Sequence, residues 1–183
     1  PARPESLQAA VSAIRAGKDA AGKPAAFSFA RRRDRIGGVN RDRAMPMPQE
    51  YFAASRDFEA FMADAKTALG HGSHHQTYTT VQAVLTVFRR RLSVGDALRF
   101  AGVLPPVLRA IFVSDWDVAD AQKPFGPRGA MEAEVRAFRE HHNIAPTDAI
   151  STVAGVMRKH VDTRDFERVL STLPDEAQAY WDP

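Results

Sequence analysis

The chain of 183 residues has no cysteine, which removes disulfides, thiolate nucleophiles and cysteine-ligated zinc or iron–sulfur centres and fits a reducing compartment. Long apolar runs are missing too. No stretch approaches the roughly 18 consecutive apolar residues of a membrane-spanning helix, and the first residues lack a basic flank followed by an apolar block and a cleavage site. These absences lead to the expectation of a cytoplasmic protein with no membrane span. Strand-like alternation of apolar and polar residues never persists beyond a few positions, and each β-branched cluster sits on a helical stripe, so a sheet is not expected. Reactive signatures are absent as well. There is no Gly-x-Ser-x-Gly elbow, and Gly37-Gly38 lacks the Gly-Lys-Ser/Thr of a phosphate loop.

What is present is a chain long enough for one domain with a core, at 44% hydrophobic and 26% charged residues, and an uneven distribution of charge. Residues 1–44 hold ten Lys or Arg against four Asp or Glu, a net +6, whereas residues 45–183 carry a net −3. Within the basic segment one thin helical stripe, Leu7, Val11 and Ile14, is predicted over residues 6–16 with Ser6 as cap. Gly17, Gly22 and Pro24 follow, then Phe27 and Phe29, then Arg31, Arg32, Arg33, Arg35, Arg41 and Arg43. Such a composition reads as a flexible arm that orders on something else. Met45-Pro46-Met47-Pro48 marks its end, because prolines spaced by two discourage helix on either side.

Beyond that boundary the chain repeats itself. Displaced along itself by one constant offset, the sequence places Val81 on Ile150, Val84 on Val153, Phe88 on Met157, Leu92 on Val161, Phe100 on Val169, Leu104 on Leu173 and Phe112 on Trp181. Polar punctuation recurs at the same offset: Asp96 on Asp165, Arg99 on Arg168, Pro105 on Pro174, and Arg89, Arg90 and Arg91 on Arg158, Lys159 and His160. Self-similarity of this kind decides the fold before any local reading. In the first copy, a helix capped by Ser55 is predicted to bury Phe58, Phe61, Met62, Ala65 and Leu69 and to stop at Gly70. A loop over residues 70–78 then leads to a helix opening near Thr79 or Thr80, with Val81, Val84, Leu85, Phe88 and Leu92 on one face. Ser93 and Asp96 cap a short third helix presenting Ala97, Phe100 and Ala101, and Pro105 starts a fourth with Val107, Leu108, Ile111 and Phe112. Residues 116–128 connect the copies. Met131, Val135 and Phe138 then replace Phe58, Met62 and Ala65 at an offset larger by four, which places four extra residues in the first copy's loop. Residues 149–161, the Asp162–Asp165 cap, and Pro174 through Tyr180 and Trp181 complete the second copy. The predicted architecture is all-α: two tandem four-helix repeats, about residues 55–116 and 129–181, each with long first and second helices, packed into one domain over residues 45–183. Neither copy of about sixty residues buries enough surface to stand alone.

Several of these features together resemble a known family. They are the threonine-rich start of the second helix (Thr77, Thr79, Thr80, Val81), its basic end at residues 89–92, the turn and helix from Ser93 to Phe100, the Leu104-Pro105 start, and the repetition down to Leu173-Pro174 and Tyr180-Trp181. The pattern resembles the bacterial family catalogued as domain of unknown function 2267, over residues 48–181. The resemblance implies a two-repeat helical body. That family carries no agreed activity, so it transfers no catalytic or ligand residues.

Several groups of residues invite a functional reading. His71, His74 and His75 share the loop over residues 70–78, and imidazoles at short spacing bind zinc, copper or nickel. No cysteine or paired carboxylate completes the set, so a polar insertion is the expectation and no metal or cofactor is assigned. His141 and His142 close a helix, where a protonated ring complements the dipole. The repeated basic runs, Arg89 to Arg91 and Arg158 to His160, read as solvated cations at two helix C-termini. Asp96 and Asp165 are placed as caps rather than as acids or bases. The reading is therefore a non-catalytic helical interaction or scaffolding protein whose arm, through Phe27, Phe29 and the arginines from Arg31 to Arg43, docks on a protein partner or larger assembly. The alternative is nucleic-acid binding by that arm, with arginines on phosphates and phenylalanines stacked on bases.

Overall fold

The computed structural model describes residues 47–139 and 144–183. Pro48, fixed at φ −54° and ψ 139°, is the N-cap of helix α1 (Gln49–Ala68). The helix thus begins ahead of Ser55, the expected cap, which lies exposed inside it. The reason is local: no glycine or proline interrupts residues 49–54, so the helix runs back to the proline. Phe61, Met62, Ala65 and Leu69 are buried as the stripe requires, and Phe58 is half-buried against them. Gly70 adopts φ +66°, and the bonds from His71 N to Lys66 O (3.0 Å) and from Gly70 N to Thr67 O (3.2 Å) form the two-bond stop in which a left-handed glycine closes a helix.

Helix α2 (His74–Arg89) starts before the expected threonines, so the loop contracts to residues 70–73. Ser73 Oγ accepts from Gln76 N, and Gln76 Oε1 accepts from Ser73 N, both at 3.3 Å: a reciprocal capping box that releases His74 to Tyr78 into the helix. A one-sided stripe is expected here, yet Thr79, Gln82, Ala83, Thr86, Val87 and Arg89 are buried along with Val81, Val84, Leu85 and Phe88. A helix covered on every side is the centre of a bundle rather than part of its surface.

Helices α3 (Val94–Gly102), α4 (Pro106–Val113), α5 (Arg128–Ala137), α6 (Ala149–His160), α7 (Thr163–Leu170) and α8 (Asp175–Tyr180) follow. Among the described residues the fold is all-α, with no strand. Pro105 and Pro174 act as N-caps, one position outside their helices, with Pro106 occupying the first turn of α4. The expectation of a long first helix in the second copy fails, since α5 has 10 residues where α1 has 20. Helix α1 packs on α6, α2 on α5, and α3 on α7. The first and second helices of one set of four therefore lie against the second and first of the other.

A few local interactions occur at positions related by the sequence offset. Ser93 Oγ accepts from Asp96 N at 3.1 Å, and Asp162 Oδ1 from Asp165 N at 2.9 Å. Arg109 donates to Leu104 O at 3.0 Å, and Gln178 to Leu173 O at 3.1 Å. At the centre, Trp181 stacks on Phe100 (5.3 Å, 27°) and meets Phe88 and Phe166 edge-on at 5.3 and 5.9 Å. Tyr180 Oη, fully buried, donates to Val84 O at 2.9 Å. Phe112 and Trp181, which the repeat makes equivalent, are both inaccessible to solvent.

Candidate functional site

The arm residues of the sequence reading, Phe27, Phe29, Arg31, Arg32, Arg33, Arg35, Arg41 and Arg43, lie outside the described residues, as do the helix expected at 6–16 and His141 with His142. The histidines of the first loop are separated by the capping box. His74 and His75 are exposed in the first turn of α2, while His71 sits half-buried beside the Ile144 backbone. Burial lowers the His71 pKa below 6.5, partly opposed by the neighbouring Ile144 backbone. Among the described residues no group of three or more His, Cys, Asp or Glu is placed to hold a metal ion.

Of the repeated basic runs, Arg90 and Lys159 are exposed as expected from sequence, but the others are drawn inward. Arg89 is 4% exposed and Arg91 7% exposed. Arg89 Nη1 donates to the carbonyls of Phe112 and Ser114 (the latter at 2.9 Å), and Trp116 lies over the guanidinium at 5.3 Å. Asp115, between those two contacts, takes φ 50°, a conformation Asp tolerates better than most residues. Arg158, its equivalent in the second set, makes the same closure, donating Nη1 to Trp181 O with Phe166 under its guanidinium at 5.7 Å. Each arginine thus closes the C-terminal end of a fourth helix, whose last carbonyls would otherwise lack partners. Arg91 donates to Val87 O and to Glu134 Oε2, both at 2.6 Å, and Lys123 reaches Glu134 Oε1 at 2.8 Å. Burial pushes the Glu134 carboxyl up, but Lys123 and Arg91 together hold it below 4.5. The connection between the two sets is fastened there too, with Lys123 N on Arg90 O and Gln122 Nε2 on Arg91 O, each at 2.8 Å.

Glu132 on α5 is buried at 4% exposure, and its Oε1 accepts from Ile150 N at 3.0 Å. It caps α6 from another helix, where the local N-cap Asp148 makes no side-chain cap bond. Burial raises its pKa above 4.5; the Ile150 bond, Arg128 and Arg136 oppose the rise, and Asp148 adds to it. A carboxyl with a raised folded pKa is destabilising once ionised. Stability therefore falls as pH rises from 4.5 through the folded pKa, the folded state binding more protons there. Glu132→Gln keeps the acceptor and removes the charge. Urea unfolding from pH 4.5 upward is expected to show a shallower loss of stability than the parent, and identical slopes would refute the assignment.

Two concave surfaces accompany these clasps. A cleft of about 400 Å³ opens where α1 meets the turns between α3 and α4 and between α6 and α7. Its ionisable groups already hold the fold together. Arg109 Nε binds Ala101 O at 2.9 Å, His160 Nε2 meets Asp64 Oδ2 at 2.8 Å, Asp162 caps α7, and Asp165 takes Arg168 at 2.8 Å. An apolar groove of about 580 Å³ runs between α1 and α2 over Phe58, Met62, Ala63 and Tyr78. No described helix is long and apolar enough to cross a membrane.

Sequence reading misses Arg89, Arg91 and Glu132 as buried groups, and Arg158 and Glu134 as half-buried ones. The signal available is the recurrence of arginine at positions 89 and 158, each at the end of a strongly apolar helix. Comparison with curated proteins gives no match. The model of a family described as an uncharacterized conserved protein, DUF2267, matches residues 58–180, which span α2 through α8 and the second half of α1. With two thirds of its length matched, the chain belongs to the DUF2267 family.

Proposed function

We propose that the protein is a non-catalytic helical interaction or scaffolding protein, in which the body is a rigid support and the basic segment of residues 1–44 docks on a protein partner. The observation that carries this reading is the division of labour among cations. In the body, Arg89, Arg91, Arg109, Arg128 and Arg158 donate to backbone carbonyls and tie elements together; Arg128 alone reaches Tyr180 O and Asp182 O at 2.6 Å each. The surplus positive charge is concentrated in residues 1–44, with ten basic residues against four acidic.

The test compares the full chain with residues 45–183 in co-purification from cells at moderate salt. The shortened chain is expected to keep its helical circular dichroism and melting midpoint while losing the partner recovered with the full chain. An unfolded shortened chain, or equal recovery, would overturn the reading. Nucleic acid is the other occupant that the arginines and phenylalanines of the arm fit, and it has its own signature: affinity for random-sequence RNA or DNA falling steeply with added salt. No binding at low salt removes that alternative.

A further inference from the structure

Arg89 and Arg158 occupy equivalent places in the two sets and send Nη1 to equivalent carbonyls, but their Nε–H groups are treated differently. That of Arg158 donates to Glu167 Oε1 at 3.0 Å. That of Arg89 is buried and has no partner among the described residues. The sequence explains why: the position equivalent to Glu167 in the first set is Leu98. Leu98 is 60% exposed; Val94, one turn earlier on α3, is 43% exposed; Val118, on the connection, is 62% exposed. The positions matching Val94 and Leu98 in the second set are the polar Thr163 and Glu167. Next to Val94 and Val118 a cavity of about 270 Å³ is lined also by Arg89, Arg90, Asp115, Trp116 and Asp120. A buried guanidinium N–H without a partner and a set of exposed aliphatic side chains nearby are each unfavourable, and one occupant relieves both.

We propose that the face around Val94, Leu98 and Val118 docks a segment of a protein partner carrying an aliphatic side chain and a carboxylate one helical turn apart. The carboxylate takes on Arg89 Nε the place that Glu167 takes on Arg158, and the aliphatic group covers Leu98 and Val94. Asp115 and Asp120 also face Arg89, and Arg90 stands beside it, but none of them bonds to Nε. Trp116 covers the guanidinium, so an arriving carboxylate displaces its ring, and its emission reports binding against the constant background of the fully buried Trp181. This face lies within residues 89–118 and stands or falls separately from the arm.

The full-length protein, labelled with ¹⁵N, is titrated with an acetylated helical peptide bearing Leu and Glu one turn apart on an alanine–lysine background, and with its Gln twin. The Arg89 Nε–H resonance and Trp116 emission are expected to shift saturably with the Glu peptide, the twin binding about tenfold more weakly for loss of one charge-assisted bond. Leu98→Glu supplies the carboxylate from within. It is expected to move the same resonance in the free protein and to abolish the response to peptide. Equal response to both peptides, none up to millimolar concentration, or full response in Leu98→Glu would overturn the proposal. Concentration-dependent dimerisation without peptide, lost in Leu98→Glu, would instead give the face to a second copy of the chain.

Discussion

Trp181→Ala is expected to remove about 3–5 kcal/mol of stability, the range for truncating a large buried aromatic. The side chain is inaccessible and touches four other aromatic rings, those of Phe88, Phe100, Phe166 and Tyr180, at 5.3 to 5.9 Å. No alternative packing fills the space, because its neighbours come from α2, α3, α7 and α8 and are fixed by their own helices. A loss of that size is a large fraction of the roughly 5–15 kcal/mol that holds a domain together, and it lowers the melting midpoint by about 10 °C or more. Trp181→Phe is expected to be much milder. The indole Nε1 has no hydrogen-bond partner among the described residues, so phenylalanine keeps the stacking and removes an unpaired buried donor. Urea unfolding followed by circular dichroism checks the order. A phenylalanine variant as weak as the alanine variant would overturn this, since it would show that the retained ring and volume contribute nothing.

Arg89→Ala is the second large effect, expected at about 2–4 kcal/mol. The substitution leaves the carbonyls of Phe112 and Ser114 without their donor and removes the cation from beneath Trp116. Arg89→Lys is expected to recover only part of the loss, since an ammonium cannot hold two carbonyls in a fixed fork while lying flat on an indole. The contrast is Arg56, whose side chain is 79% exposed and pairs with neighbouring Asp57 at 3.3 Å. Arg56→Ala is expected to stay within about 0.5 kcal/mol, as exposed ion pairs do. Chemical denaturation of the three variants measures the spread, and similar losses at positions 56 and 89 would refute the role of burial.

The parts of the fold legible in the sequence are those fixed by nearby residues. The caps at Ser93 and Asp162, the stop at Gly70, and the buried positions Phe88, Phe100 and Phe112 all follow from spacing within a turn or two. The start of α2 is misplaced from sequence because two glycines and three histidines suggest a loop, although Ser73 followed three residues later by Gln76 is the local signal to trust. Ser55 qualifies as a cap by type alone, whereas Pro48 and the unbroken run after it govern the start. The buried arginines are not legible. What draws Arg89 inward is a pair of carbonyls 23 and 25 residues away and a tryptophan on the connection, and nothing next to it in the chain announces them. Glu132 is similar, since the helix it caps is not its own and begins only at Ala149, beyond an intervening turn of chain.

The exchange of partners between the two sets of helices bears on how the chain reaches its native state. Tyr180 bonds to Val84, and His160 to Asp64, across 96 residues of chain in both cases. Loops of that length must close before most of the core forms, which makes folding slow relative to a bundle of neighbouring hairpins. Because the helices of each set also cover those of the other, unfolding is expected to be one cooperative transition, with coincident loss of helical circular dichroism and tryptophan emission.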